Sequence, residues 1–188
     1  MYKNFGKRFI DLLASVLCIL ILLPIFLLVS VCIFVEDRGP IFFIHGRIGK
    51  NNQHFNIIKF RSMRVGTEIV PSCIQVQMQV TKVGRLIRRL NIDELPQLIN
   101  VILGEMSLIG PRPGLENQVE LHNLRSRKGV QGLTPGITGL AQIHGFDGMS
   151  VEQKVLLDEE YLHNVNLYFD FKILLGTVKY LFKKQPIY

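Results

Sequence analysis

Two acidic residues, Asp93 and Glu94, stand side by side near the middle of the chain, just after the basic residue Arg88. Pro96 follows them, and residues 95–103 are predicted to form a helix that opens at Asp93, because proline is tolerated in a first helical turn. In one interpretation Asp93 is the N-cap of that helix. In the other it is an ionised carboxylate at the positive end of a helix, where anions and metal ions gather. The acidic pair alone does not choose between them.

Two further motifs place basic side chains on stiff backbone. Residues 110–113 read Gly-Pro-Arg-Pro, so that two prolines hold the backbone around Arg112, whose planar guanidinium group suits phosphate oxygens. Lys59 and Arg61 alternate along a predicted strand and therefore leave it on the same face. Both motifs also have a structural interpretation, as a rigid turn and as a solvated polar face.

The chain is basic, with a formal net charge of +7 from 22 lysine and arginine residues against 15 aspartate and glutamate residues. Between positions 38 and 92 there are ten basic residues and one acid, Glu68. This asymmetry predicts an anionic partner, which is a phosphorylated substrate, acidic lipid headgroups or nucleic acid. Nucleic acid is the weaker alternative, because the basic stretch lacks interleaved aromatic residues on which bases stack. A solvated basic face is the structural alternative.

Residues 12–35 form a run of 24 residues without a charge. A straight helix of that length spans the ~30 Å hydrocarbon layer of a membrane. Pro24 lies in its middle, however, and proline kinks or breaks a helix. Basic residues flank the run on both sides, and such flanks prefer the cytoplasmic side of a membrane. We therefore predict a re-entrant hairpin over residues 1–36 that breaks at Pro24, in preference to a kinked spanning helix.

The other elements follow from hydrophobic periodicity and turn signals. They are two short strands at 41–44 and 55–60, a loop at 65–80, a helix at 83–90 and two helices within 151–184. Residues 129–148 contain six glycines and are expected to lack regular structure. The last helix is predicted to lie at a membrane surface or to pack in the core, from its apolar residues Phe169, Ile173, Val178 and Phe182 and its lysines Lys172, Lys179 and Lys183.

Three blocks of sequence, read in order, resemble a known family. They are KFRSM at 59–63, TKVGRLIRRLNIDELPQLINVILGEMSLIGPRP at 81–113 and PGITGLAQIHG at 135–145. Together they are similar to the small monotopic phosphoglycosyl transferases, the bacterial sugar transferases that begin glycan assembly on a polyprenyl phosphate. The central block is the most specific of the three, because its order, spacing and content match together.

The resemblance implies an enzyme that moves a sugar phosphate from a UDP-sugar to undecaprenyl phosphate and releases UMP. By the same resemblance Asp93 is the nucleophile, which forms a covalent aspartyl phosphosugar intermediate, and Glu94 assists it. Mg²⁺ is the implied cofactor, with Asp93 as its ligand. The positions implied for binding phosphate and substrate are Lys59, Arg61, Arg88, Arg112, Thr138 and Gln142.

The implied fold class is a membrane-monotopic α/β protein with two parts. Residues 1–36 form the re-entrant hairpin, and residues 37–188 form a cytoplasmic catalytic domain with short strands and amphipathic C-terminal helices on the membrane surface. The expected location is the cytoplasmic face of the bacterial inner membrane. The expected partners are a UDP-sugar, a polyprenyl phosphate lipid and the membrane, not nucleic acid. The sequence leaves open whether the chain forms a homodimer. The rival hypothesis is a membrane-tethered module that binds an anionic ligand, or an inactive relative, neither of which would release UMP.

Overall fold

The computed structural model describes residues 2–67 and 80–181 and shows a mixed α/β protein that is mostly helical. Most of the predicted loop at 65–80 lies outside the described residues. The helices are α1 Lys7–Glu36, α2 Lys82–Arg89, α3 Gln97–Leu103, α4 Val119–Arg127, α5 Leu140–Ile143, α6 Val151–Asn164 and α7 Leu167–Leu181. The strands are β1 Phe42–Ile48, β2 His54–Phe60, β3 Ser107–Ile109 and β4 Gly136–Thr138.

Helix α1 is long and apolar enough to cross a membrane, and it continues through Pro24 as one helix. The predicted break at Pro24 is therefore not confirmed. Proline removes a single backbone donor, so a helix is able to bend there while the bonds on either side hold it together. Many apolar side chains of α1 are exposed, among them Leu20 at 63% and Ile21 at 74%. So large an exposed apolar surface marks a membrane or protein contact.

Both ends of α1 pack against the rest of the chain. Towards its C-terminal end, Val29 and Ile33 share a buried cluster with Phe60 of β2 and Ile87 of α2. These two helical residues are four apart and lie on one face, which is the spacing that lets a helix bury a stripe.

The N-terminal end of α1 is fixed by polar contacts. Asp11 accepts hydrogen bonds from the hydroxyl of Ser107 at 2.7 Å and from the N–H of Leu108 at 3.2 Å. Lys7 forms an ion pair of 2.7 Å with Asp170 of α7. Buried carboxylates with such partners orient the elements that carry them, because an unmade bond would leave a desolvated charge.

Strands β1 and β2 pair antiparallel along their whole length and form one hairpin. The structure thus confirms the two predicted strands and shows that β1 extends further, to Ile48. Asn100 of α3 bonds to the backbone of β2, accepting from the N–H of Ile58 at 3.0 Å and donating to the carbonyl of Asn56 at 2.7 Å. The helix that follows the acidic pair is therefore held against the strand that carries Lys59.

The prediction that residues 129–148 lack regular structure is wrong. They contain β4, which pairs parallel with β3, and the short helix α5. A Cβ atom on Gly136 would lie 2.1 Å from the backbone nitrogen of Gly110. Glycine is needed here because two backbones approach closely, not because the chain is irregular.

Helix α7 has one face packed in the core, as one of the two predicted alternatives holds, and the membrane-surface alternative stays a prediction. Ile173 is buried in the core, and Phe169 packs against the same cluster. Phe182 and Lys183 lie outside the described residues. A different face carries the exposed apolar side chains, which are Leu167, Tyr168, Phe171, Leu174, Leu175, Val178 and Leu181.

Candidate active site

The acidic pair lies in a 3-10 turn, Ile92–Glu94, between α2 and α3. Asn91 precedes this turn in the left-handed conformation, with φ of 53°, which asparagine tolerates better than most residues. α3 begins only at Gln97, and no side chain caps its N-terminus. The interpretation of Asp93 as a helix N-cap is therefore wrong.

Glu94 binds two cations with one carboxylate oxygen. Its Oε1 atom accepts a hydrogen bond of 2.6 Å from Nζ of Lys59 and one of 2.9 Å from Nη2 of Arg112. Burial alone would raise the pKa of Glu94, but Arg112 and Lys59 hold that pKa well below its usual range. Glu94 therefore stays ionised and holds both cations beside Asp93.

Asp93 has no hydrogen-bond donor to its carboxylate among residues 2–67 and 80–181, and it is half-buried. Burial raises the pKa of Asp93 to about 6, and the adjacent Glu94 charge adds to the rise. The positive charges of Lys59 and Arg88 oppose it. Within the described part of the chain nothing donates to this carboxylate, and an ionised carboxylate oxygen in that setting is able to attack an electrophile or to bind a metal ion.

Arg112 lies on the stiff 110–113 loop and turns its guanidinium group towards the acidic pair. Besides its bond to Glu94, the group lies 6.0 Å from the ring centroid of Phe146, at the outer limit of a cation–π contact. Lys154 approaches the same ring at 4.4 Å.

Of the residues predicted for the site, the structure gathers five: Asp93, Glu94, Lys59, Arg88 and Arg112. They come from β2, α2, the 3-10 turn and the 110–113 loop. The fold therefore collects at one place groups that are up to 53 positions apart in the chain, from 59 to 112.

The other three predicted residues have different surroundings. Arg61 is buried, and its guanidinium group bonds to the backbone carbonyl and the carboxylate of Asp37. The hydroxyl of Thr138 lies 2.7 Å from that of Thr177 in α7. Gln142 is buried, and neither polar atom of its amide has a hydrogen-bond partner within the described part of the chain.

Two residues near the acidic pair, His45 and Arg47 of β1, were not predicted from the sequence. Burial lowers the pKa of Arg47 to about 10, the charge of Arg112 adds to the fall and that of Glu94 opposes it. Burial also lowers the pKa of His45 to about 4, with Arg47 and Lys59 adding to the effect, so its imidazole is neutral at pH 7. The signal that would have found them is the hairpin register, because Lys59 pairs with Phe43 and alternate residues share a face.

The acidic residues fit a magnesium ion only if the substrate completes its coordination. Glu94 is engaged by two cations, whereas the carboxylate of Asp93 accepts no hydrogen bond from the residues that the structure describes. Residues 2–67 and 80–181 hold no group of three or more His, Cys, Asp or Glu side chains that would form a metal cage. Mg²⁺ commonly uses one or two carboxylates together with substrate phosphates. Asp93 would supply the single carboxylate of such a site, and the donor phosphates would supply the other ligands.

The chain matches the bacterial sugar transferase family over residues 2–184 and belongs to that family. This confirms the resemblance of its sequence blocks. The chain is 37% identical over 196 residues to the exopolysaccharide production protein ExoY of Rhizobium meliloti (strain 1021), an alignment that covers 92% of this chain and 84% of that protein.

Other relatives are longer. The chain is 42% identical over 191 residues to an undecaprenyl-phosphate glucose phosphotransferase of Komagataeibacter xylinus, covering 92% of this chain but 35% of that protein. It is 36% identical over 185 residues to a UDP-glucose:undecaprenyl-phosphate glucose-1-phosphate transferase of Escherichia coli (strain K12), covering 92% and 39%. The chain thus spans little more than a third of the length of these two relatives.

Proposed function

We propose that this protein transfers a sugar phosphate from a UDP-sugar to a polyprenyl phosphate and releases UMP, with Asp93 as the nucleophile. The observation that carries the proposal is the pair of contrasting carboxylates. Glu94 is neutralised by Lys59 and Arg112, whereas the carboxylate of Asp93 beside it accepts no hydrogen bond from residues 2–67 and 80–181. The relatives named as undecaprenyl-phosphate sugar phosphotransferases supply the substrate class.

In the first step, a carboxylate oxygen of Asp93 attacks the phosphorus that bears the sugar. A bond forms from Asp93 to phosphorus, the bond from that phosphorus to the bridging diphosphate oxygen breaks, and UMP leaves with the electron pair. Lys59 and Arg112, which both pair with Glu94 beside Asp93, would offset charge on the phosphate oxygens. Glu94 keeps both cations in place without competing for the phosphorus.

In the second step, an oxygen of the lipid phosphate attacks the same phosphorus. The bond to Asp93 breaks, the carboxylate is restored, and a lipid diphosphate sugar forms. Two steps let a soluble donor and a lipid acceptor use one site in turn. A Mg²⁺ ion held by Asp93 and the donor phosphates would neutralise charge on the diphosphate.

The membrane arrangement that we propose keeps both ends of α1 on one side, as a re-entrant segment. Its first turn is bonded to α3, since Arg8 donates to the carbonyl of Ile102 at 2.8 Å. Its last residue, Glu36, accepts from the N–H groups of Lys82 at 2.6 Å and Val83 at 2.7 Å at the start of α2. A helix that spans the ~30 Å hydrocarbon layer would carry one of these ends away from its partners. The exposed apolar face of α7 supports the further proposal that this helix lies on the membrane surface.

Cysteine labelling in intact cells tests this topology. Lys3→Cys and Asn51→Cys, each in a chain without Cys18, Cys32 and Cys73, are both expected to resist a membrane-impermeant thiol reagent and to react in inverted membrane vesicles. Both positions are exposed on the protein, so neither is hidden by its fold. Reaction of the Lys3→Cys protein from outside the cell would show that α1 spans the membrane.

The reaction itself is tested with the purified full chain in detergent or nanodiscs. A panel of UDP-sugars is supplied with undecaprenyl phosphate and Mg²⁺, and UMP is measured. We expect UMP release with at least one sugar, dependent on the lipid for multiple turnover. A binding module or an inactive relative would retain ligands and release no UMP.

Arg112→Lys tests whether the guanidinium group is needed as more than a charge. Lysine keeps the ion pair with Glu94 but loses the planar fork, and we expect kcat/KM to fall at least ~10-fold, or ~1.4 kcal/mol of transition-state stabilisation. The matched control is Arg127→Lys on the exposed end of α4, which should leave the rate unchanged. Unaltered kinetics in a folded Arg112→Lys protein would make the 110–113 loop a structural turn only.

A further inference from the structure

The backbone of the 110–113 loop is bound by two arginines other than Arg112. Arg125 of α4 donates from Nη1 to the carbonyl of Arg112 at 2.9 Å. Arg47 of β1 donates from Nη1 to the carbonyl of Pro113 at 3.2 Å. Two successive carbonyl groups are thus held from two different elements of the fold.

Arg125 is itself fixed by a buried carboxylate. Its Nε and Nη2 atoms donate to Oδ2 of Asp158 in α6 at 2.9 Å and 2.6 Å. Arg125 is 7% exposed and Asp158 is 2% exposed. A buried ion pair is a costly way to brace a loop, because both charges lose their hydration. Two prolines already stiffen this loop, so a stable turn alone does not account for the pair.

Arg47 approaches from the hairpin. Its Nη2 atom lies 3.3 Å from Nε2 of His45, whose imidazole is neutral at pH 7. Its charge is close enough to that of Arg112 for the two to repel. Arg47 nevertheless bonds to the carbonyl of Pro113, the residue after Arg112. This bond restricts the position of the loop and therefore of Arg112.

We propose that Arg47 and Arg125 are positioning residues for Arg112, and that Asp158 positions Arg125. They fix the backbone from which the Arg112 guanidinium group reaches Glu94 at 2.9 Å. Neither of them contacts the reacting phosphate. The inference rests on the proposed function for its activity readout, because Arg112 matters to turnover only if the site transfers phosphate.

A double-mutant cycle separates action through Arg112 from direct action on substrate. Arg47→Met removes the donor at similar length, and Arg125→Met with Asp158→Leu removes the buried pair without leaving an unpaired charge. Each change alone should lower kcat for UMP release ~10-fold. In an Arg112→Lys background the same changes should lower it less than ~2-fold further, because the group that they position is already compromised. Arg47→Lys, which keeps a donor, should restore most of the activity that Arg47→Met loses.

Lys128→Met is the matched control. Lys128 also joins α4 to α6, through a pair of 3.1 Å with Glu159, but it makes no bond to the 110–113 loop. We expect its kcat to be that of the unmutated protein. If the fold-reductions in kcat caused by Arg47→Met and Arg112→Lys simply multiply in the double variant, the proposal is overturned. Arg47 would then act on substrate directly.

Hydrogen exchange tests the same arrangement without an activity measurement. We call the bonds from Arg47 and Arg125 to the backbone of the 110–113 loop the clamp. The N–H groups of Gly110 and Gly136 bond to the carbonyls of Thr138 at 2.8 Å and Pro111 at 2.9 Å, so their exchange reports on the loop. Both should exchange ~10-fold faster in the Arg47→Met protein and unchanged in the Lys128→Met protein. Unaltered exchange and kcat in Arg47→Met would refute the clamp. If the unmutated protein releases no UMP from any UDP-sugar, the proposed function fails, and the exchange result still decides the clamp.

Discussion

Asp93→Asn is expected to abolish transfer while leaving the protein folded. An amide is a poor nucleophile and offers no anionic oxygen to a metal ion, so we expect kcat to fall at least ~10⁴-fold. The fold should tolerate the change, because Asp93 caps no helix and accepts no hydrogen bond from the described residues. The thermal midpoint should therefore stay within a few degrees of the original.

Two controls sharpen this result. Asp93→Glu keeps the charge but moves the carboxylate by one methylene group, and it should also lose most of its activity, since attack on phosphorus requires close alignment. Mass spectrometry of the Asp93→Asn protein is needed to exclude deamidation back to aspartate. Normal turnover by an intact Asp93→Asn protein would assign the chemistry to another carboxylate.

Glu94→Gln is expected to damage both activity and stability. The substitution keeps the shape of the side chain but removes the negative charge that holds Lys59 at 2.6 Å and Arg112 at 2.9 Å. Two cations would then face each other in a partly buried site, so we expect a loss of roughly 2–4 kcal/mol in the free energy of unfolding. The rate should fall ~10²- to 10³-fold, because the two groups that we propose bind phosphate lose their position.

The pH dependence of stability gives a second readout for Glu94. Its pKa is lowered in the folded state, so its contribution to stability is present above the ordinary glutamate value and is lost as the pH falls towards the folded one. The Glu94→Gln protein should lack this part of the acid dependence. Glu116→Gln is the matched control, because Glu116 pairs with His54 on the surface, where the pair is 56% and 68% exposed. A Glu94→Gln protein as stable and active as the Glu116→Gln protein would refute the role of Glu94 as the common anchor of two cations.

The sequence predicted the parts of the site that depend on local chemistry. Lys59, Arg88 and Arg112 were identified from residue type and family-like spacing, and the structure places all three beside the acidic pair. Arg61 shows the limit of this reasoning. Strand alternation put it on the face of Lys59, but β2 ends at Phe60, and Arg61 beyond it bonds to Asp37.

Features that depend on pairing across the chain could not be predicted in the same way. Arg47 reaches the site only because β1 pairs with β2 in one register, and Arg125 only because Asp158, 33 positions later, is buried beside it. The glycine-rich segment was mistaken for a loop. Its glycines are needed because the backbones of β4 and the 110–113 loop approach closely, and the sequence of one strand does not show that approach. The break at Pro24 was predicted from that proline and from the basic flanks, and it is not confirmed, because α1 continues through Pro24 as one helix.

The central claim is that the sugar phosphate passes through Asp93, and trapping that intermediate tests it most directly. The unmutated protein is incubated with a UDP-sugar that it uses, without lipid acceptor, then quenched, digested and analysed by mass spectrometry. We expect one equivalent of UMP to be released and a sugar phosphate to be found on the peptide that contains Asp93. Added undecaprenyl phosphate should discharge it. Full turnover in the presence of lipid with no adduct on Asp93, or an adduct on a different residue, would contradict the account.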